Sequence, residues 1–201
     1  MLTARQLAIL AFMRPFEQLT FSELKRRSKS NSNNLLQQAI SAFEEEGVIT
    51  REENHYWLDL DSPRLPAYQE LITDAWLGTL PAIDAKEIRR IKNAIKAATP
   101  FSAIILFGSF ADDKQKKSSD IDVAVMTDDD PEPIEAAVKA LGVKNFRKID
   151  LHVINKRDFQ EMLANAEFNL GKEIKKKHRL LNASGFYELL ATARNPPARR
   201  E

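Results

Sequence analysis

The 201-residue chain has no cysteine, which excludes disulfides, thiolate nucleophiles and cysteine-held zinc or iron–sulfur sites and fits a reducing interior. It also lacks an excess of either charge. Thirty basic and 29 acidic residues leave a formal +1, so only a local cluster can argue for a polyanionic partner. Long hydrophobic runs are missing too: the longest uncharged stretch, Ala97 to Ala111, is too short to span a bilayer. The apolar patch near the N-terminus has no small-residue cleavage site, and Thr3 with Gln6 makes a capping box, so it reads as an amphipathic helix rather than a signal peptide. No internal repeat is visible. The expectation is a soluble, cytoplasmic protein without membrane association, and 43% hydrophobic residues suffice for two small domains.

Residues 1–60 read as three helices and a hairpin. Thr3 caps the first helix, with Leu7, Leu10 and Met13 on one face and Pro15 as its stop. A second capping box, Thr20 with Glu23, opens a short helix through Lys29, and a third follows with Leu36, Ile40 and Phe43 at helical spacing, closed by Gly47. The β-prone runs Val48 to Arg51 and Tyr56 to Leu60 flank a polar tip. This is the order of a winged helix-turn-helix domain.

Prolines and charges from Asp61 to Pro66 mark a boundary, and residues 61–99 read as a helical connector, its second helix opened by an Asp84 to Glu87 capping pattern and ended by Pro100. Residues 100–194 then alternate. Strands are expected over 102–107, 121–126 and 147–154, and helices over 132–141, 156–165 and 168–181, with a disordered tail over 195–201. The fold class is α+β.

Chemistry concentrates where Phe107-Gly108-Ser109 ends a strand and Ser119-Asp120-Ile121-Asp122 follows. Glycine lets a phosphate approach the backbone, and a turn entering a helix offers N–H groups to an anion. In Asp120-Ile121-Asp122 the strand period of two puts both carboxylates on one face. Asp150, within Ile149-Asp150-Leu151, is set opposite the apolar face of its own strand. If the two strands pair, three carboxylates meet, and their mutual repulsion needs a cation or a proton to offset it; Mg²⁺ suits oxygen ligands shared with substrate phosphates.

These residues resemble the minimal nucleotidyltransferase branch of the polymerase-beta-like superfamily. The resemblance implies a mixed sheet covered by helices on one face, and transfer of a nucleoside monophosphate from an NTP, ATP foremost, to an acceptor hydroxyl. It also implies that Gly108, Ser109 and Ser119 bind the nucleotide, and that Asp120, Asp122 and Asp150 are the catalytic, Mg²⁺-holding acids. Small members of that family act as antitoxins that adenylylate a protein, whereas others modify small molecules such as aminoglycosides; a fused DNA-binding-type domain fits a regulatory role with a protein acceptor. The sequence departs from the family where Phe110-Ala111-Asp112-Asp113 replaces a basic stretch, two acids that repel a triphosphate unless Lys114, Lys116 and Lys117 offset them.

A second reading comes from residues 1–60. Lys25, Arg26, Arg27 and Lys29 stand without an intervening acid before Asn33, Asn34 and Gln37, side chains suited to base edges, and Arg51 lies on the hairpin. On that reading the chain is a DNA-binding regulator of duplex DNA whose transferase domain is inactive or only senses nucleotide. The connector helices are the expected contact of a homodimer. The basic run Lys172 to Arg179 reads as a solvated helix face, and His152 shares the strand face of Asp150.

Overall fold

The computed structural model describes residues 1–142 and 147–192, so the expected tail over 195–201 lies outside the described residues. The chain forms two compact units, Met1–Ile72 and Thr73–Glu201.

In the first unit, both capping boxes form as expected. Thr3 accepts the Gln6 N–H and Gln6 accepts the Thr3 N–H at the start of α1 (Ala4–Leu10). After strand β1 (Leu19–Thr20), Thr20 and Glu23 repeat the exchange at the start of α2 (Phe21–Ser28). Lys29, in the left-handed region at φ 50°, ends α2. Ser32 then caps α3 (Asn33–Glu45), which buries Leu36, Ala39, Ile40 and Phe43. Gly47, at φ 65°, turns the chain out of α3, a conformation that favours glycine. The hairpin of β2 (Ile49–Glu52) and β3 (His55–Leu58) follows, and β1 adds to the far side of β3, giving an antiparallel sheet in the order β1-β3-β2. Two residues carry no periodicity, so β1 was not expected from sequence.

Residues 61–99, expected as a connector, are shared between the two units, whose boundary follows Ile72. Tyr68, in the first turns of α4 (Leu65–Leu77), donates to Glu46 Oε2 at 2.7 Å within the first unit, and the boundary between the units falls inside α4. In the second unit Ile88, Ile91 and Ile95 of α5 (Ala82–Ala98) are fully buried with Ile104, Leu106, Val123 and Val125. Asp84 does not cap α5. Pro81 precedes the helix without a side-chain cap, and Asp84 is buried in an ion pair with Arg147.

The second unit is built on a four-stranded mixed sheet in the order β6-β5-β4-β7, formed by β4 (Ala103–Leu106), β5 (Ile121–Met126), β6 (Ile149–Ile154) and β7 (Arg179–Asn182). Only β5 and β6 run parallel, joined through α7 (Pro131–Gly142). A short α6 (Gly108–Ala111) follows β4. The expectation of helices on one face is corrected. Ile104, Leu106, Val123 and Val125 point to the α5 and α7 side, yet the alternate residues Ala103, Ile105, Ala124 and Met126 are buried as well. A strand apolar on both sides is a strand covered on both sides. The rest of the unit, α8 (Lys156–Ala164), α9 (Leu170–Lys176) and α10 (Phe186–Thr192), supplies that cover with the fully buried Phe159, Ile174 and Phe186. Nor does a helix run to residue 181: α9 ends at Lys176, and Leu180 and Leu181 enter the sheet beside β4. No helix among the described residues is long and apolar enough to cross a membrane.

His178, between α9 and β7, donates from Nδ1 to the Ile174 carbonyl at 2.7 Å and meets the Phe186 ring edge-on, 4.8 Å between centroids. Burial among these groups pushes its imidazolium down to about pH 4. The unfolded chain takes up that proton near pH 6.5, so the stabilisation is complete above pH 6.5 and lost as pH falls towards 4. We expect the unit to lose on the order of 3 kcal/mol over that interval through this group. His178→Asn, which keeps a donor for Ile174 but does not titrate, should flatten the dependence of Tm on pH between 7 and 4.5; an unchanged slope would assign it to other groups.

Candidate functional site

The expected acids are brought to one end of the mixed sheet. Parallel pairing of β5 with β6 sets Asp122 opposite Asp150 in register, and two in-register side chains of a parallel pair share a face. Asp120 precedes β5 on the same side, with its Oδ2 3.3 Å from Lys148 Nζ. His152, two residues past Asp150, places Nε2 3.5 Å from Asp150 Oδ2 and packs against Phe107.

Gly108 has φ 61°, and a Cβ built on it would stand 2.1 Å from Asp122 Oδ2. Only glycine leaves that space. The Asp122 carboxylate therefore lies against the Gly108–Ser109 backbone and accepts the Ser109 N–H. Burial, and next the charge of Asp150, pushes the Asp122 carboxyl above the usual carboxylate range; the Ser109 N–H pulls the other way, and Asp120 and Glu173 add to the push. Glu173, in the first turn of α9, is a fourth acid that sequence reading missed. It lies in a lysine-rich segment with nothing local to tie it to β5.

Ser119 is placed as a turn closer: its Oγ accepts the Lys116 N–H at 2.8 Å, which leaves the hydroxyl hydrogen to donate elsewhere. Asp112 and Asp113 are offset, though mostly not by the lysines expected. Asp112 pairs with Lys177 at 3.1 Å and with Lys114 at 3.6 Å. Asp113 takes Arg179 at 2.8 Å and the Trp76 indole N–H at 2.8 Å, with the Arg179 guanidinium 4.1 Å from the Trp76 ring centroid. The nearest cation to each acid thus lies more than 60 residues away in sequence. Of the basic run Lys172 to Arg179, at least these two residues serve as partners rather than as a solvated helix face.

Residues 89–181 match the family model described as polymerase beta, nucleotidyltransferase. The matched segment runs from within α5 to β7 and contains all three expected acids with the Gly108–Ser109 turn. This part of the chain is similar to a nucleotidyltransferase domain, and such a domain implies an NTP substrate. No curated protein and no solved structure matches the chain.

The donors of the nucleotidyltransferase domain fit a hard divalent cation in kind: all are carboxylate oxygens, and their unbalanced negative charge already disfavours ionisation of Asp122. They are not drawn together into a ligand set. Among the described residues no three His, Cys, Asp or Glu side chains stand close enough to hold a metal ion. Lys148, the Ser109 N–H and His152 each engage one of the three acids instead.

In the first unit the residues expected at DNA divide. Lys25, Arg26 and Lys29 line a cleft of about 370 Å³ with Ser22, Ser30 and Asn31 at the turn between α2 and α3. Asn33, Asn34 and Gln37 are exposed at the start of α3. Arg27 turns away, because its guanidinium makes a two-point pair with Glu17, both bonds 2.6 Å. Arg51 donates to the Glu53 carbonyl and rests over Tyr56, within the hairpin.

Proposed function

We propose that the chain moves a nucleoside monophosphate from an NTP, ATP foremost, to an acceptor hydroxyl and releases pyrophosphate, in a regulatory role with a protein acceptor. The observation that carries this reading is the Asp122 carboxylate, seated on the Gly108–Ser109 backbone and in register with Asp150. On this reading the Gly108 backbone N–H and the Ser109 and Ser119 hydroxyls hold the phosphates, and Asp150 orients the acceptor hydroxyl and takes its proton. Asp120, Asp122 and Asp150 would hold Mg²⁺, which when bound supplies charge stabilisation to the phosphoryl oxygens. Pairing of Asp112 and Asp113 with Lys177, Lys114 and Arg179 supports an active site, since their repulsion of a triphosphate is already offset. The test is incubation of the full chain with Mg²⁺ and ATP labelled in the α-phosphate, in a cell extract. Label should pass to a macromolecule, and none should pass from ATP labelled in the γ-phosphate. Label arriving equally from the γ-position would mean phosphoryl transfer and overturn the reading.

A second reading has its own observation, the cationic cleft of Lys25, Arg26 and Lys29 beside the exposed amides of α3. It makes the first unit a winged helix bound to duplex DNA, with the nucleotidyltransferase domain as a nucleotide sensor. Reversing Arg26 and Lys29 to glutamate should weaken duplex binding and reduce its log–log salt slope by about one per lost phosphate contact. Wild-type binding that does not depend on salt would remove this reading.

A further inference from the structure

Arg147 is joined to more of the molecule than any sequence motif suggested. Its side chain is only 10% exposed and its partner Asp84 only 6%. Nε donates to Asp84 Oδ1 at 2.8 Å and Nη2 to Oδ2 at 3.1 Å, a two-point pair with α5. Nη1 faces the opposite way and donates to three carbonyls, those of Lys116 at 2.6 Å, Lys117 at 3.1 Å and Ser119 at 3.0 Å. The guanidinium also lies over the ring of Phe110, 5.2 Å from its centroid, and Phe110 is the fully buried residue that follows Ser109. The next residue, Lys148, reaches Asp120, and its carbonyl accepts the Ile121 N–H at 2.9 Å.

One planar cation thus fastens the loop that carries Asp120, the helix that carries Ser109 and the helix behind them. Besides Arg147, the loop is held by the Lys114 N–H to the Ser109 carbonyl at 3.0 Å and by Lys148 on Asp120. Its own closure is a turn, the Ser119 N–H to Lys116 carbonyl at 3.1 Å with the Ser119 hydroxyl on the Lys116 N–H, and its lysines are exposed. Carbonyls gathered on one side need a donor array with fixed spread, which a guanidinium supplies and a single ammonium does not. Burying such a charge is costly unless its donors are used, and all three guanidinium nitrogens of Arg147 donate here.

The geometry points to Arg147 as the positioning residue of the nucleotidyltransferase site: it sets Asp120 relative to Ser109 and touches no substrate itself. This rests on the nucleotidyltransferase reading for its functional part, while its structural part is readable alone. Two variants separate positioning from mere stability. Arg147→Lys keeps a charge for Asp84 but loses the carbonyl array; Asp84→Asn keeps the array but loses the ion pair. Both should lower Tm.

The experiment compares the full chain and both variants well below their Tm by amide hydrogen exchange at Ser119 and Ile121, and by calorimetric titration with Mg²⁺ and a non-hydrolysable ATP analogue. Arg147→Lys should speed exchange at Ser119 by about tenfold or more and weaken metal-dependent nucleotide binding by a similar factor, because small misplacements of a ligand are costly. Asp84→Asn should leave both within about twofold, since the carbonyl contacts remain. Unchanged exchange in Arg147→Lys, or losses in the two variants that simply follow their Tm, would overturn the proposal. Absence of nucleotide binding by the wild type is a failure of the nucleotidyltransferase reading, and exchange would still decide whether Arg147 holds the loop.

Discussion

Asp122→Asn is expected to reduce nucleotidyl transfer by about a thousandfold or more while leaving the metal-free protein at least as stable as the wild type. The two effects have one origin. Asp122 is partly buried and faces the charges of Asp150, Asp120 and Glu173, so its ionised form is unfavourable in the folded chain. Asparagine has the same shape and retains an oxygen for the Ser109 N–H, but it removes the repulsion. Relief of that repulsion should raise Tm by about 2–4 °C, the equivalent of roughly 1 kcal/mol in a chain of this size. Asp150→Asn supplies the contrast: its side chain is 50% exposed, so activity should fall without a comparable gain in stability. Transfer from α-labelled ATP and thermal unfolding in a chelator, measured on the same preparations, decide the matter. Activity within tenfold of the wild type would remove Asp122 from the machinery. A clear drop in Tm would show that the carboxylate is a structural cap for the Gly108–Ser109 turn and no more.

How far this site was legible follows from the range over which its causes act. The strand period of two put Asp120 and Asp122 on one face and gave Asp150 its side of β6, and the register then brought Asp122 and Asp150 together. The capping boxes at Thr3 and Thr20 were equally legible, since donor and acceptor lie three residues apart. Partners set by the tertiary fold were not. Lys177 and Arg179 looked like the continuation of a helical basic face, yet β7 replaces that helix because Leu180 and Leu181 are taken into the sheet beside β4. Asp84 had the local look of a helix cap and is instead the buried partner of Arg147, 63 residues away. Arg27 had the look of a phosphate contact and is bound to Glu17. In each case the actual partner lay beyond the reach of periodicity.

Gly108→Ala should be the most damaging single methyl in the nucleotidyltransferase domain. Two costs are superimposed at this position. A side chain at φ 61° is strained wherever it occurs, by about 1 kcal/mol, and this one would also meet Asp122 Oδ2 at 2.1 Å and Cγ at 2.9 Å. The total should be about 2–4 kcal/mol, with the Asp122 carboxylate expelled from the Ser109 N–H and nucleotide binding lost with it. A double-mutant cycle separates the two costs. In an Asp122→Ala background the methyl meets only what is left of residue 122, whose Cβ was already 3.3 Å away, so the collision largely disappears while the backbone strain remains. Gly108→Ala should then cost only about 1–2 kcal/mol, and the difference between backgrounds is the coupling energy of the Gly108–Asp122 contact. Equal costs in the two backgrounds would mean that the carboxylate can swing aside freely, and that its seat on the Gly108–Ser109 turn does not fix it for the reaction. A large coupling would mean the opposite: the space over Gly108 is kept empty for this carboxylate, and the acid and the Gly108–Ser109 turn form one mechanical unit.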